Sequence, residues 1–167
     1  MNRLEDKVAI ITGATGGIGK AVTELFIKEG ANVLMVDLNE DDLVEVAKQI
    51  DSNKLSYLQG DVSNFTDNQK AVDLAIERYG GLDILIANAG VAGEIHSITD
   101  YEESTFDNVM AVNAKGPFLG LKAAIPALTE RGGGSVVITS SVAGLTGAPF
   151  LSPYVMSKHA VVGLTKS

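Results

Sequence analysis

Apolar positions along this chain fall into two alternating rhythms. Short, largely apolar runs occupy residues 8–11, 33–36, 55–58, 83–87 and 135–139. Each is too short for a helix, and turn residues follow within a few positions, so each predicts a strand of the sheet. Between them the apolar residues return every three or four positions. Ile18, Ala21, Val22, Leu25 and Phe26 paint one stripe; Leu43, Ala47 and Ile50 a second; Val72, Ala75, Ile76 and Tyr79 a third. That period predicts amphipathic helices. Asn39 and Asn64 stand where N-caps belong, and Gly30 and Gly80-Gly81 stand where helices stop. A long helix is predicted over residues 104–130. A last one opens with Ser152 as N-cap and Pro153 at the first helical position.

Strands apolar on both faces, alternating with helices, imply a parallel sheet covered on both sides. Right-handed crossovers then give a doubly wound, Rossmann-type α/β domain over residues 1–167, with strand order 3-2-1-4-5. In such sheets ligands bind beyond the carboxyl ends of the strands. The chemically suggestive residues all fall there: the glycine turn, Asp37, Asp61, residues 88–90 and Ser140-Ser141.

The first strand runs into Gly13, Gly17 and Gly19 and then into a helix. Glycines permit a sharp turn and a close approach where a Cβ would collide. The helix N-terminus beyond them suits a diphosphate. The spacing is G-x-x-x-G-x-G rather than the commoner G-x-G-x-x-G. Asp37 follows 18 residues after Gly19 at the end of the second strand, placed to accept from a ribose diol. Further on, Tyr154 and Lys158 stand four residues apart on one helix face. A tyrosine hydroxyl ionises near pH ~10, and lowering that by about three units takes about 4 kcal/mol. A nearby ammonium and the positive helix end both favour the phenolate. Tyr154 is then able to exchange a proton with an alcohol or carbonyl oxygen, and the Ser141 hydroxyl to bond the same oxygen. Ser140 reads as its structural neighbour.

These segments resemble the short-chain dehydrogenase/reductases, in their single-domain branch. The matching residues are 12–19 (TGATGGIG), Asp61-Val62, Asn88-Ala89-Gly90, Asn113, Ser140-Ser141 and Tyr154 with Lys158, with 13 residues from Ser141 to Tyr154. The resemblance implies a hydride transfer between a nicotinamide and a secondary alcohol or ketone. It implies Tyr154 as acid/base, Lys158 as the group that lowers its pKa and holds the nicotinamide ribose, and Ser141 as the substrate-oxygen partner. Asn113 would anchor a water. Gly13, Thr15, Gly17, Ile18, Gly19, Asp37 and Leu38 would hold the cofactor, Asp61 and Val62 its adenine, and Asn88, Ala89 and Gly90 would pass beside it. Where the family often carries a second Asn, this chain has Ala87. Pro117 lacks the N–H that would bond the Asn113 carbonyl, which frees that carbonyl for water; the competing reading is a simple kink.

Charge and composition narrow the partners. A net charge of −8 without a basic run argues against nucleic acid and anionic membrane. With no cysteine there is neither a disulfide nor a thiolate metal site, and neither histidine has ligand-spaced partners, so no metal is expected. The first residues lack a signal-peptide core, and a cytoplasmic protein is expected. Asp37 would repel a 2′-phosphate, and no Arg or Lys stands beside it, so NAD is expected over NADP. Family members run on for about another half-length. The resemblance therefore implies a C-terminally shortened chain, with the last strands and the nicotinamide-closing segment absent and strand five an open edge. It also implies a homodimer or homotetramer packing through residues 104–130 and the last helix. Ala123, Ala124 and Ala127 there fit close subunit approach or ordinary helix formation equally well. A non-catalytic NAD-binding or interaction protein is the alternative, and an epimerase or dehydratase a more distant one.

Overall fold

The computed structural model describes residues 2–167. Five strands, β1 (Val8–Thr12), β2 (Asn32–Asp37), β3 (Leu55–Gln59), β4 (Ile84–Ala87) and β5 (Ser135–Ile138), pair in parallel in the order β3-β2-β1-β4-β5. This is the predicted doubly wound sheet. Side chains alternate across it, as the two-residue period of a strand requires. Val8, Ile10, Leu34 and Val36 face one core, with Ala71, Val72 and Ala75 of α3 (Phe65–Tyr79) and Ala123 and Ala124 of α5 (Gly116–Glu130). Ala9, Ile11, Val33 and Met35 face the other, against Leu43 and Val46 of α2 (Glu40–Ile50) and partly buried Val22 and Phe26 of α1 (Gly17–Lys28). The remaining helices are α4 (Glu103–Met110) and α6 (Ser152–Lys166), the latter packed on α4 and the segment between α4 and α5.

Several local expectations change. On α1 the inward positions are Gly19, Val22, Thr23 and Phe26, while Ile18 (61% exposed), Ala21 and Leu25 (45%) face outward. The helix is turned because a Cβ at Gly19 would collide with the Gly13 carbonyl, so this face, and not the most apolar one, meets the turn. On α3, Ile76 is exposed and Asn68 takes an inward place, donating to the carbonyls of Val62 and Asn64 (both 2.8 Å). Asn39 and Asn64 do cap their helices, through the amides of Asp41 and Thr66. Ser152 does not: Leu151 precedes α6, and no side chain caps it.

The predicted helix over 104–130 is interrupted by a π turn, Ala111–Lys115. The Gly116 N–H reaches back to the Ala111 carbonyl, five residues away, and Pro117 has no N–H to continue the ladder. Ala123, Ala124 and Ala127 are buried in the core against the sheet, so they do not offer a surface for another subunit. β3 and β5 are the two edge strands, and on β5 Val137 is 48% exposed. Among the described residues no helix is long and apolar enough to cross a membrane.

Candidate active site

The turn after β1 is built against β4. Gly13 adopts φ +61°, and a Cβ there would sit 2.7 Å from the Ala89 Cα. Only glycine allows both that conformation and that approach. The Thr12 hydroxyl oxygen accepts from the amides of Asn88 (3.0 Å) and Ala89 (3.1 Å). Asn88 returns its Nδ2 to the carbonyls of Thr12 (3.1 Å) and Gly13 (3.2 Å) and takes the Thr139 hydroxyl on Oδ1 (3.1 Å). The ends of β1, β4 and β5 are thus laced together under one cleft.

That cleft measures about 690 Å³, within the range of small-molecule sites. Gly13, Thr15, Gly17 and Ile18 form one wall, continuing into Asp37, Leu38, Asp61 and Val62. Asn88, Ala89 and Gly90 form the floor, and Ser141, Tyr154 and Lys158 the far end. Gly19 and Asn113 are not on its surface. Gly19 lies buried beneath the turn, and Asn113, 1% exposed, stands one layer behind Gly90. His96 lies outside it, with Nε2 paired to Glu94 at 3.2 Å, and His159 turns its Nδ1 to the Val155 carbonyl (2.9 Å).

At the glycine end, α1 differs from α2 and α3. Its N-cap, Gly16, supplies no side-chain bond, and nothing lies within 4 Å of a Cβ built at Gly17. The leading amides of this helix have open space in front of them, where an anion is favoured. Asp37 closes the corner. Its Oδ2 accepts from the Thr15 amide (2.9 Å) and hydroxyl (2.7 Å), and its Oδ1 from the Leu38 amide (2.8 Å). Asp61 uses Oδ1 to accept the Ser63 amide (2.8 Å), which shapes the Asp61–Val62 wall.

At the far end, Lys158 is 4% exposed. Its Nζ donates to the Thr139 carbonyl (2.8 Å) and lies 5.6 Å from the centroid of the Tyr154 ring. Burial pushes its pKa below the ordinary lysine value. The i, i+4 spacing has brought both groups to one helix face and turned that face to the glycine turn. Ser140 donates to the Lys158 carbonyl (3.0 Å), a structural bond that ties α6 to β5. The Ser141 oxygen accepts from the Ala143 amide (3.1 Å), which leaves its O–H free to donate. Asn113 grips the backbone of Val91 from both sides, Oδ1 accepting its N–H and Nδ2 donating to its carbonyl, both at 2.8 Å.

Thr12, Thr139 and Ser157 carry weight that the sequence reading did not assign. The signal available was slight: small hydroxyl residues at strand ends and beside Lys158. A buried ammonium beside a phenol, a free hydroxyl and a glycine-lined anion corner is an arrangement able to move a proton next to a bound dinucleotide.

A model of the short chain dehydrogenase family matches residues 7–167. Short-chain dehydrogenase reductase 3a of Arabidopsis thaliana is 42% identical over 166 residues, 99% of this chain and 65% of the plant protein. Xanthoxin dehydrogenase of the same plant is 43% identical over 170 residues, 99% of this chain and 60% of that protein. A solved short chain dehydrogenase/reductase from Burkholderia phymatum, in complex with NAD, aligns with a TM-score of 0.94 at 32% identity, covering 99% of this chain and 60% of that one. The chain thus spans less than two thirds of the length of these relatives. With its family model matched from Lys7 to the last residue and its sheet order the same as the motifs implied, this chain belongs to the short-chain dehydrogenase family.

Proposed function

We propose that the protein is an NAD-dependent oxidoreductase acting on a secondary alcohol or ketone, with Tyr154 as the proton-transfer group. The observation that carries this reading is Lys158. Among the described residues it has no carboxylate partner, yet it is buried beside the Tyr154 ring in the cleft of the glycine turn. A structural lysine in a core is normally paired. An unpaired ammonium next to a phenol, in a cleft that opens on the glycine turn, marks a functional site rather than a structural one.

The cleft fits a dinucleotide. The uncapped amides of α1 suit the diphosphate, and the space above Gly17 is open. Asp37 Oδ1 has accepted one bond and keeps capacity for a ribose hydroxyl, while the Thr15 hydroxyl on Oδ2 is replaceable. Among the described residues Lys158 is the only cation lining the cleft, and it sits at the far end from Asp37, where it does not offset a 2′-phosphate. This favours NAD over NADP, and the NAD-bound relative from Burkholderia phymatum supports a nicotinamide cofactor in this fold. When bound, NAD supplies the hydride acceptor or donor. Tyr154 takes or gives the hydroxyl proton of the substrate, Lys158 places its ammonium beside the Tyr154 ring, and the free O–H of Ser141 orients the same oxygen. Asn113, whose carbonyl cannot receive an amide from Pro117, is the candidate to seat a water behind Lys158.

The competing reading is a non-catalytic NAD-binding protein, and Tyr154→Phe separates the two. The substitution removes one hydroxyl. An oxidoreductase loses roughly 10²–10⁴ in turnover, followed by absorbance of the reduced cofactor over a panel of alcohols, and keeps its NAD affinity by calorimetry. Unchanged turnover, or a wild-type chain that binds NAD without oxidising any alcohol, defeats the proposal. Tighter binding of NADP than of NAD defeats the cofactor assignment alone.

A further inference from the structure

Ser157 is fully buried, at 0% exposure, and lies between the two residues assigned to chemistry on α6. Its hydroxyl bonds in two directions. It donates to the Tyr154 carbonyl (2.8 Å), three residues back in its own helix. It accepts from Nδ2 of Asn113 (3.1 Å), 44 residues away in the π turn. Asn113 in turn holds the Val91 backbone from both sides. A continuous chain of bonds therefore runs from the first turn of α6, through Ser157 and Asn113, to the segment that leaves β4 and floors the cleft.

We propose that Ser157 is a positioning residue: its hydroxyl locks the Tyr154–Lys158 face of α6 to Asn113 and, through it, to the Val91 segment. Three features argue that the link does more than fill space. Alanine is a better helix former than serine, so helix propensity does not select a serine here. A serine bonding back to its own helix slightly weakens or bends that helix. The second hydrogen of the Asn113 amide has Ser157 as its partner, the first being taken by Val91, so without Ser157 a buried donor is left unmatched. The side chain thus disfavours its own helix and satisfies another segment instead. Gly90 shows how tight the registry is. A Cβ there would lie 3.2 Å from Asn113 Oδ1 and 3.4 Å from Lys158 Nζ, so the cleft floor, Asn113 and the lysine meet at a single point.

The inference rests on the dehydrogenase reading for its catalytic consequence, but not for its structural one, and the test keeps the two apart. Ser157→Ala and Ser157→Thr are compared with wild type by turnover, by NAD titration and by hydrogen exchange at the Val91 amide. Ser157→Ala is expected to lower kcat on the order of tenfold, to leave the NAD affinity within about twofold, and to speed Val91 exchange by about tenfold. Ser157→Thr keeps the hydroxyl and is expected to restore both. If Thr is too large for the site, Ser157→Ala alone decides, through the split between kcat and NAD affinity and through Val91. A Ser157→Ala protein that melts earlier but keeps kcat and Val91 protection overturns the proposal. Faster Val91 exchange in a chain that oxidises no alcohol supports the link and overturns the dehydrogenase reading instead.

Discussion

Two buried charges sit at opposite ends of the same sheet. At the amino end, Asp83 precedes β4. Its carboxylate accepts the Val8 amide (3.0 Å) and lies near Lys7 (3.4 Å) and Arg131 (3.5 Å). Desolvation pushes its pKa up, but the Val8 amide, Lys7 and Arg131 together outweigh that and hold it below the ordinary aspartate value. At the carboxyl end, Lys158 has a carbonyl for a partner and no carboxylate, and burial is the cause that moves its pKa. One charge is met by opposite charges and holds the first amide of β1. The other is left unmatched beside a phenol. Partners offset the desolvation cost of a buried charge, whereas an unmatched one keeps that cost and persists where something else requires it.

The most forceful way to break this comparison is to remove the lysine charge. Lys158→Met, similar in length and apolar, is expected to lower turnover on the order of 10³-fold, read from reduced-cofactor absorbance. Its urea midpoint is expected to hold or rise, because a desolvated ammonium has been replaced by a side chain suited to burial. A clear loss of stability in this variant would make Lys158 a structural residue like Asp83.

The reciprocal change at Asp83 comes next. Asp83→Ala leaves the Val8 amide without its acceptor and two cations without their anion. It is expected to cost about 2–3 kcal/mol in urea unfolding. The glycine turn and Lys158 lie at the far end of the strands, so NAD affinity in the folded fraction is expected to stay unchanged.

The smallest effects are the pH dependences. An unfolded aspartate takes up its proton near 3.8, while folded Asp83 does so lower. Its stabilisation is complete above 3.8 and is lost as pH falls through the folded value. An unfolded lysine keeps its proton up to 10.5, while folded Lys158 releases it earlier. Its burial cost is full below the folded value and is relieved as pH climbs toward 10.5. In both windows the unfolded chain binds more protons, so stability rises with pH in each. Urea midpoints across pH are expected to flatten on the acid side in Asp83→Asn and on the alkaline side in Lys158→Met.

Much of this was legible along the chain because the causes are local. Five short, largely apolar runs gave five strands in the expected order; β1, β2 and β4, buried on both faces, are the continuous ones, while the edge strands β3 and β5 are partly exposed. Gly13, Gly17 and Gly19 marked the turn because backbone conformation and close approach are demanded within a few residues. Tyr154 and Lys158 fell on one face because a helix repeats every 3.6 residues. The misses have equally particular causes. The α1 stripe keeps Val22 and Phe26 inward but loses Ile18, Ala21 and Leu25 to the surface, because the contact between Gly19 and Gly13, and not apolar content alone, sets the rotation of that helix. The break at Ala111–Lys115 escaped the helical period, which a single wide turn hardly disturbs.

By itself, then, the sequence determined which elements form, where the glycine turn lies and which side chains share the Tyr154–Lys158 helix face, since each follows from neighbours a few residues apart. Which buried charge is matched was decided only by folding. Asp83 meets Lys7 across 76 residues and Arg131 across 48, Lys158 meets the Thr139 carbonyl from the far side of a loop, and Ser157 finds Asn113 across 44. Pairings over such distances depend on strand order and helix rotation, and no local spacing records them.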